Sequence, residues 1–229
     1  MSRRGWKIEM TGSERRRGLV FFLLYLLVFP RANAWLQQLW MGDGEVLVAE
    51  ANVLYYAFLF VLCLFIFWDF LKKDLLGLLD WLPENLFAAA VGLLLSGGLY
   101  AVLSLLPFPV RDPISLQYAQ EFQAAPAPTL ALILLLIPLV EETVYRGLLY
   151  GSLRPYSRTL AMGFCALLYA LAQVWRYALE LSDPRYLLLG LLYLPMSAAL
   201  TWCYDRGGSV WSCMVLHGGL NGVILATAL

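Results

Sequence analysis

Residues 130–147 read LALILLLIPLVEETVYRG, an apolar run that ends in two adjacent glutamates and an arginine one turn later. A bilayer core about 30 Å thick is crossed by about 20 helical residues. The stretch therefore predicts a membrane-spanning helix from about residue 129 to 150. An acidic side chain at the centre of such a helix costs about 2.5–3.5 kcal/mol on insertion scales, so Glu141 and Glu142 are candidates for function.

The composition of the whole chain agrees with a membrane setting. Of its 229 residues 61% are hydrophobic and 14% are charged, whereas soluble domains are about 45–50% apolar and about 25% charged. The net charge is zero and there is one histidine, which argues against a disordered chain, a nucleic-acid binder that relies on bulk charge, and a His-rich metal site. We expect an all-α fold, a polytopic transmembrane helical bundle of about seven spans, with six to eight as the range.

Seven apolar stretches are long enough to be spans, and the first is interrupted by Pro30 and Arg31. The expected spans are about 18–35, 46–71, 85–106, 129–150, 159–179, 186–204 and 209–229. Residues 107–128 predict a proline-rich linker with an interfacial helix near 114–122. Within one membrane domain, we expect residues 1–125 to be peripheral N-terminal transmembrane helices and residues 126–229 to be the helical core.

Basic loop residues gather on the side of the N-terminus, which predicts a cytoplasmic N-terminus and, with seven spans, an external C-terminus. The residues on that side are Arg3, Arg4, Lys7, Arg15, Arg16, Arg17, Lys72, Lys73, Arg154, Arg158 and Arg206. The first span, followed by Ala32-Asn33-Ala34, fits a retained signal anchor or a cleaved signal peptide, and we favour the anchor. The compact length fits an integral protein of a bacterial plasma membrane.

Helical spacing separates the roles of the two glutamates in the fourth span. Glu142 and Arg146 are four residues apart, so they share a helix face and can pair. Glu141 is turned about 100° away and has no local basic partner, so its carboxyl can accept or donate a proton. The alternative is that the cluster is a loop end whose charges reach the membrane interface.

Two later spans carry further polar side chains at the same spacing. His217 and Asn221 share a face of the last span, and Gly218 there would let a neighbouring helix approach closely. Tyr169 and Gln173 share a face of the fifth span. Each pair could be part of a polar site or could only form hydrogen bonds between helices.

Together these elements resemble the CAAX prenyl protease type II, or CPBP (Abi), family of intramembrane proteases. Residues 141–146 match its EExxxR signature and residues 217–221 match its HxxxN element, in the family's order, and the resemblance covers roughly residues 126–225. One position departs from the pattern. Where the family has FxxxH, this chain has Tyr169 and Gln173, and it has no second histidine.

The resemblance implies an intramembrane endopeptidase that acts on a membrane-associated protein or peptide within the lipid bilayer. It implies no nucleic-acid partner. It assigns Glu141 as the general base, Gln173 as the water-orienting residue, and His217 with Asn221 as the oxyanion hole. Glu142, Arg146 and Tyr169 would support these groups. We expect no cofactor and a glutamic-type mechanism, because a single imidazole provides too few ligands for a catalytic metal. The alternative is a divalent ion such as zinc.

Two other functions compete with proteolysis. The missing histidine favours a catalytically inactive homologue that serves as a membrane binding, immunity or scaffold protein. A proton-coupled carrier using Glu141 as a relay would show an inverted repeat with polar clusters in both halves, but the polar cluster lies only in the second half.

Overall fold

The architecture of the protein, taken from a computed structural model, is described for residues 10–41 and 48–229, and no strand occurs within these ranges. Within the described residues nine helices follow one another. They are α1 Gly12–Leu27, α2 Phe29–Met41, α3 Val48–Asp80, α4 Leu82–Leu103, α5 Pro113–Ala124, α6 Pro126–Leu153, α7 Arg158–Glu180, α8 Pro184–Gly207 and α9 Val210–Ala228.

Six of these helices are long and apolar enough to span a membrane, namely α3, α4, α6, α7, α8 and α9. A seventh span would be the pair formed by α1 and α2, which meet at a bend of 48°. The expected polytopic bundle of about seven spans is confirmed, and α5 lies where an interfacial helix is predicted. The basic residues Arg3, Arg4 and Lys7 and the expected start of the second span near Val46 lie outside the described residues.

The bend between α1 and α2 has a local cause. Pro30 has no backbone N–H to continue the helical ladder, so it occurs where the helix breaks. The guanidinium of Arg31 donates to the backbone oxygen of Leu27 at 2.9 Å and satisfies a carbonyl at this break. The two residues that make the first span uncertain in the sequence are therefore the residues at the bend.

Helices α6 and α9 form the centre of the bundle. In each, 61% of the most apolar window is buried within the protein, against 22% for α3, whose outer face is left for lipid. Helix α6 is irregular, with wider π-helical turns at Leu132–Leu136 and Thr143–Tyr150 on either side of Pro138. Such turns often occur at functional sites because they leave backbone carbonyls free for other partners.

The close approach of α9 to α6 depends on Gly218. A Cβ at this position would lie 2.6 Å from the backbone oxygen of Leu134, an atom that cannot move aside without displacing α6. Gly218 therefore serves helix contact, as the sequence predicts for a small residue in this span.

Replacing Gly218 with alanine is expected to lower the free energy of unfolding by about 1–3 kcal/mol, because the added methyl group overpacks a rigid contact. Gly163 in α7 is the matched control, since a Cβ there meets nothing within 4 Å. Gly163→Ala should be neutral or slightly stabilising. Thermal unfolding in detergent compares the two variants, and equal stability of both would show that the contact with Leu134 is not tight.

Helix α5 is anchored to the bundle through Asp112, which precedes it. The Asp112 carboxylate accepts from the backbone N–H of Ile114 at 3.2 Å, from the Tyr193 hydroxyl at 2.6 Å and from the Tyr100 hydroxyl at 3.2 Å. Burial raises the pKa of Asp112, and these hydrogen bonds to its charged form act in the opposite direction. The anchor fixes α5 against α4 and α8, at the rim of the cavity described next.

The division of the chain at residue 125 stays a prediction. In the described structure, α1 and α3 pack against α6, and side chains from both halves line one cavity.

Candidate active site

A cavity of about 450 Å³ lies among the helices and contains the polar side chains that the sequence singles out. Glu141 from α6, Tyr169 and Gln173 from α7, and His217 and Asn221 from α9 all line it. Tyrosine and amide side chains form much of the remaining wall, including Tyr25, Asn33, Gln37, Asn52, Tyr55, Tyr56, Gln117 and Tyr118. Three separate stretches of chain therefore meet at one polar cavity inside an apolar bundle.

The carboxylate of Glu141 is buried, with 6% of the residue exposed, and faces this cavity. Its Oε1 accepts a hydrogen bond from the Tyr25 hydroxyl at 2.7 Å. Its Oε2 lies 3.5 Å from Nε2 of Gln173 and 3.9 Å from Nε2 of His217. One carboxylate oxygen is thus held by a phenol, while the other faces the amide and the imidazole.

Glu142 and Arg146 form the ion pair that their spacing predicts, and neither residue is exposed. The guanidinium donates to Glu142 Oε1 at 3.0 Å and to the Oγ of Ser197 at 3.0 Å. It also lies over the ring of Tyr169, 4.5 Å from its centroid, which favours a cation–π contact. Both charges lie behind the cavity wall and tie α6 to α8 and α7.

The imidazole of His217 bridges the ion pair and the cavity. Its Nδ1 lies 2.7 Å from Glu142 Oε1, and its Nε2 lies 3.1 Å from the Tyr169 hydroxyl. An ionised carboxylate only accepts hydrogen bonds, so Nδ1 is assigned the hydrogen and donates to Glu142. In the neutral ring Nε2 then accepts from Tyr169, whereas in the imidazolium Nε2 is itself a donor toward the cavity.

Asn221 is held by α6 rather than by a side chain. Its Nδ2 donates to the backbone oxygen of Ile133 at 2.8 Å, in the π-helical turn of that helix. An amide nitrogen carries two hydrogens, so one donor of Asn221 remains after this bond. The irregular backbone of α6 therefore positions a cavity-lining amide.

Tyr25 is a residue that sequence reasoning did not assign to the site. It lies in α1 among Phe, Leu and Val residues, where an aromatic side chain predicts lipid or core packing. No local spacing connects it with Glu141, which is 116 residues later. Ser197 was missed for the same reason, because a single serine in an apolar span carries no pattern.

The donor atoms in the cavity fit a metal ion poorly. In residues 10–41 and 48–229, no three His, Cys, Asp or Glu side chains are grouped in a way that could hold one. Two of the possible metal ligands already have partners. Nδ1 of His217 is hydrogen-bonded to Glu142, and Oε1 of Glu141 accepts from Tyr25. A catalytic zinc usually takes three protein ligands rich in imidazole, a set that these residues do not supply.

Comparison with known proteins gives one family. Residues 123–223, from the end of α5 to the last turns of α9, match the family of type II CAAX prenyl endopeptidases described as Rce1-like. Neither the curated proteins nor the solved structures include a match to the chain.

Over this segment, which is less than half of the chain, the protein is similar to the Rce1-like type II CAAX prenyl endopeptidases. The described helices that are long and apolar enough to span a membrane agree with an integral membrane protein, and the matched family is one of CAAX prenyl endopeptidases. The matched segment contains all seven side chains that the sequence places at the site, and Tyr25 lies outside it.

Proposed function

We propose that the protein hydrolyses a peptide bond in a membrane-associated protein or peptide, with a water molecule activated by Glu141. The observation that carries this proposal is the meeting of Glu141, Gln173 and His217, all from the segment that matches the family, at one polar cavity. A buried carboxylate beside a hydrogen-bonding amide is suited to hold a water and to take a proton from it.

In the first step, water lies between Oε2 of Glu141 and the amide of Gln173. Glu141 takes one proton from the water, and the oxygen of that water attacks the peptide carbonyl carbon. The electrons of the C=O double bond move to the carbonyl oxygen, which becomes an oxyanion. The low dielectric of the buried cavity strengthens every hydrogen bond made to this charge.

Asn221 and His217 are the proposed donors to the oxyanion. Asn221 supplies the amide hydrogen left over from its bond to Ile133, and His217 supplies Nε2–H when its ring is protonated. The Tyr169 hydroxyl, which touches Nε2, gives way to the oxyanion.

In the second step the tetrahedral intermediate collapses. The C–N bond breaks, and Glu141 returns its proton to the leaving nitrogen, so the products are a new carboxyl group and a free amine. Atoms balance with one water consumed, and Glu141 ends in its starting state. No metal takes part in this scheme, because Glu141 performs both proton transfers.

Substitutions of Gln173 test the part of the scheme in which this chain departs from the family pattern. Replacement with histidine should leave kcat unchanged or raise it up to about 10-fold, because an imidazole can both hold the water and share its proton. Replacement with methionine, of similar size, should lower kcat about 10- to 100-fold. Steady-state kinetics of both variants provide the measurement, and an undiminished kcat in Gln173→Met would remove Gln173 from the mechanism.

The same residue favours one other function. Glutamine accepts and donates hydrogen bonds but takes no proton, and Oε1 of Glu141 and Nε2 of His217 both have partners already. A chain with these features could bind a membrane peptide without cleaving it, as an immunity or scaffold protein does.

A reconstituted system separates the two functions. Purified protein in lipid vesicles is incubated with a prenylated peptide carrying three residues after its cysteine, with the same peptide unmodified, and with a hydrophobic transmembrane peptide, all in ¹⁸O-labelled water. Hydrolysis predicts a product whose new carboxyl group carries one ¹⁸O, detected by mass spectrometry. Binding of a peptide with no labelled product would instead establish the non-catalytic function.

A further inference from the structure

A hydroxyl from the N-terminal helix touches the proposed catalytic carboxylate. Tyr25 of α1 donates to Oε1 of Glu141 at 2.7 Å, and the two residues are 8% and 6% exposed. A hydrogen bond from a neutral donor to a buried carboxylate is short and strong, because little water competes for it. Tyr25 precedes the family segment, which begins at residue 123, so the family match does not account for this contact.

The start of α1 is firmly held, which fixes where Tyr25 lies. Thr11 and Glu14 form a capping box, with the Thr11 Oγ1 accepting from the Glu14 N–H and Glu14 accepting from the Thr11 N–H at 2.8 Å. The second oxygen of Glu14 accepts from the backbone N–H of Phe70 at 2.9 Å. That N–H belongs to the turn after Phe67, where α3 departs from helical geometry.

Close packing along α1 continues this attachment toward the cavity. A Cβ at Gly18 would lie 2.6 Å from the Phe67 ring, so this ring of α3 packs directly against the backbone of α1. Further along, Phe22 packs edge-on against Tyr145 of α6, with ring centroids 5.5 Å apart, and Phe21 stacks with Tyr25 at 6.5 Å. The Tyr25 ring therefore has little freedom to turn away from Glu141.

The contact gives the two oxygens of Glu141 different tasks. Oε1 is occupied by Tyr25, and Oε2 faces Gln173 and the imidazole of His217. A carboxylate held at one oxygen has a fixed rotamer, so its other oxygen meets the water in the same orientation in every turnover. We propose that Tyr25 is a positioning residue that fixes Glu141 for proton transfer through Oε2, and that α1 is therefore part of the active site. This inference rests on the proposed function.

Tyr25→Phe tests the proposal because it keeps the ring and removes only the hydroxyl. We expect kcat to fall about 10- to 100-fold, since loss of the donor lets the carboxylate turn, while KM stays within about two-fold. The assay is turnover of a cleaved peptide by full-length protein in vesicles. Thermal unfolding of each variant shows whether the bundle is intact.

Tyr150→Phe is the matched control. It removes a part-buried hydrogen bond from a tyrosine hydroxyl to a carboxylate, that of Tyr150 to Asp205 at 2.5 Å, and Tyr150 is on the same helix as Glu141 but away from the cavity. Its kcat should equal that of the parent. Equal losses in both tyrosine variants would overturn the proposal, as would a raised KM with unchanged kcat in Tyr25→Phe.

Glu141→Gln measured in parallel keeps the two hypotheses apart. An inactive Glu141→Gln with a fully active Tyr25→Phe overturns the role of Tyr25 and leaves the proposed base in place. An active Glu141→Gln overturns the proposed function itself. Loss of kcat in both Glu141→Gln and Tyr25→Phe, with Tyr150→Phe active, supports the proposed base and the proposed role of Tyr25.

Discussion

Replacing Glu141 with glutamine is expected to abolish peptide processing, with a loss of at least about 10³-fold in kcat. Glutamine keeps the size of the side chain and can still accept from Tyr25, but it cannot take a proton from water. General-base catalysis alone contributes about 10²–10⁴-fold, and in the proposed scheme no other side chain replaces this base, because position 173 is an amide.

The measurement compares initial rates for parent and variant in vesicles, together with circular dichroism of both. Asp183→Asn is a suitable control, because it neutralises a carboxylate that pairs with Arg185 outside the cavity, at 2.7 Å. That variant should cleave at the parental rate. If Glu141→Gln cleaves as fast as the parent, the base has been wrongly assigned and Glu141 serves only the packing of the cavity.

Replacing Arg146 with methionine is expected to cost about 3–5 kcal/mol of the free energy of unfolding, since it leaves the carboxylate of Glu142 buried without its countercharge. Neither partner is exposed, and Oε2 of Glu142 already has no hydrogen-bond partner among the described residues. The change also removes the donors to Ser197 and the charge over the Tyr169 ring.

Two further variants separate charge burial from packing. Glu142→Gln combined with Arg146→Met should be more stable than Arg146→Met alone, because neither charge of the pair then remains and the amide oxygen still accepts from His217. Arg158→Met removes an arginine whose side chain is 51% exposed and which pairs with Asp205 at 2.6 Å. This surface change should cost about 0–1 kcal/mol.

Chemical unfolding in detergent, followed by tryptophan fluorescence, measures these differences. A loss in Arg146→Met no larger than that in Arg158→Met would contradict the buried-pair argument. Activity should fall together with stability in Arg146→Met, because the same carboxylate holds Nδ1 of His217.

Helical periodicity was sufficient to predict the contacts made within one helix. The Glu142–Arg146 pair follows from a spacing of four residues, and the structure brings the two side chains to 3.0 Å. The same periodicity directed Glu141 to a different face, where its neighbours Tyr25, Gln173 and His217 all come from other helices. The cytoplasmic N-terminus, the retained anchor and the bacterial membrane stay predictions.

Contacts between helices were only partly predictable. The shared faces of Tyr169 with Gln173 and of His217 with Asn221 indicated that they could reach one site, and all four line the cavity. Their actual partners could not be derived, because Asn221 binds a backbone carbonyl that is free only where α6 widens into a π-helical turn. Helical spacing assumes a regular helix and so contains no information on such a turn.

Apolar content and the period of the helix therefore establish the membrane, the approximate spans and the faces that carry charge, because these depend on neighbours a few residues away. Only the tertiary structure decides that a phenol of α1 reaches Glu141 across 116 residues of chain, and that Glu142 serves both Arg146 and His217. Such contacts depend on helix bends, on close helix contacts at glycines and on the packing angles of whole helices. These features result from many weak interactions, which cannot be derived from a local sequence pattern.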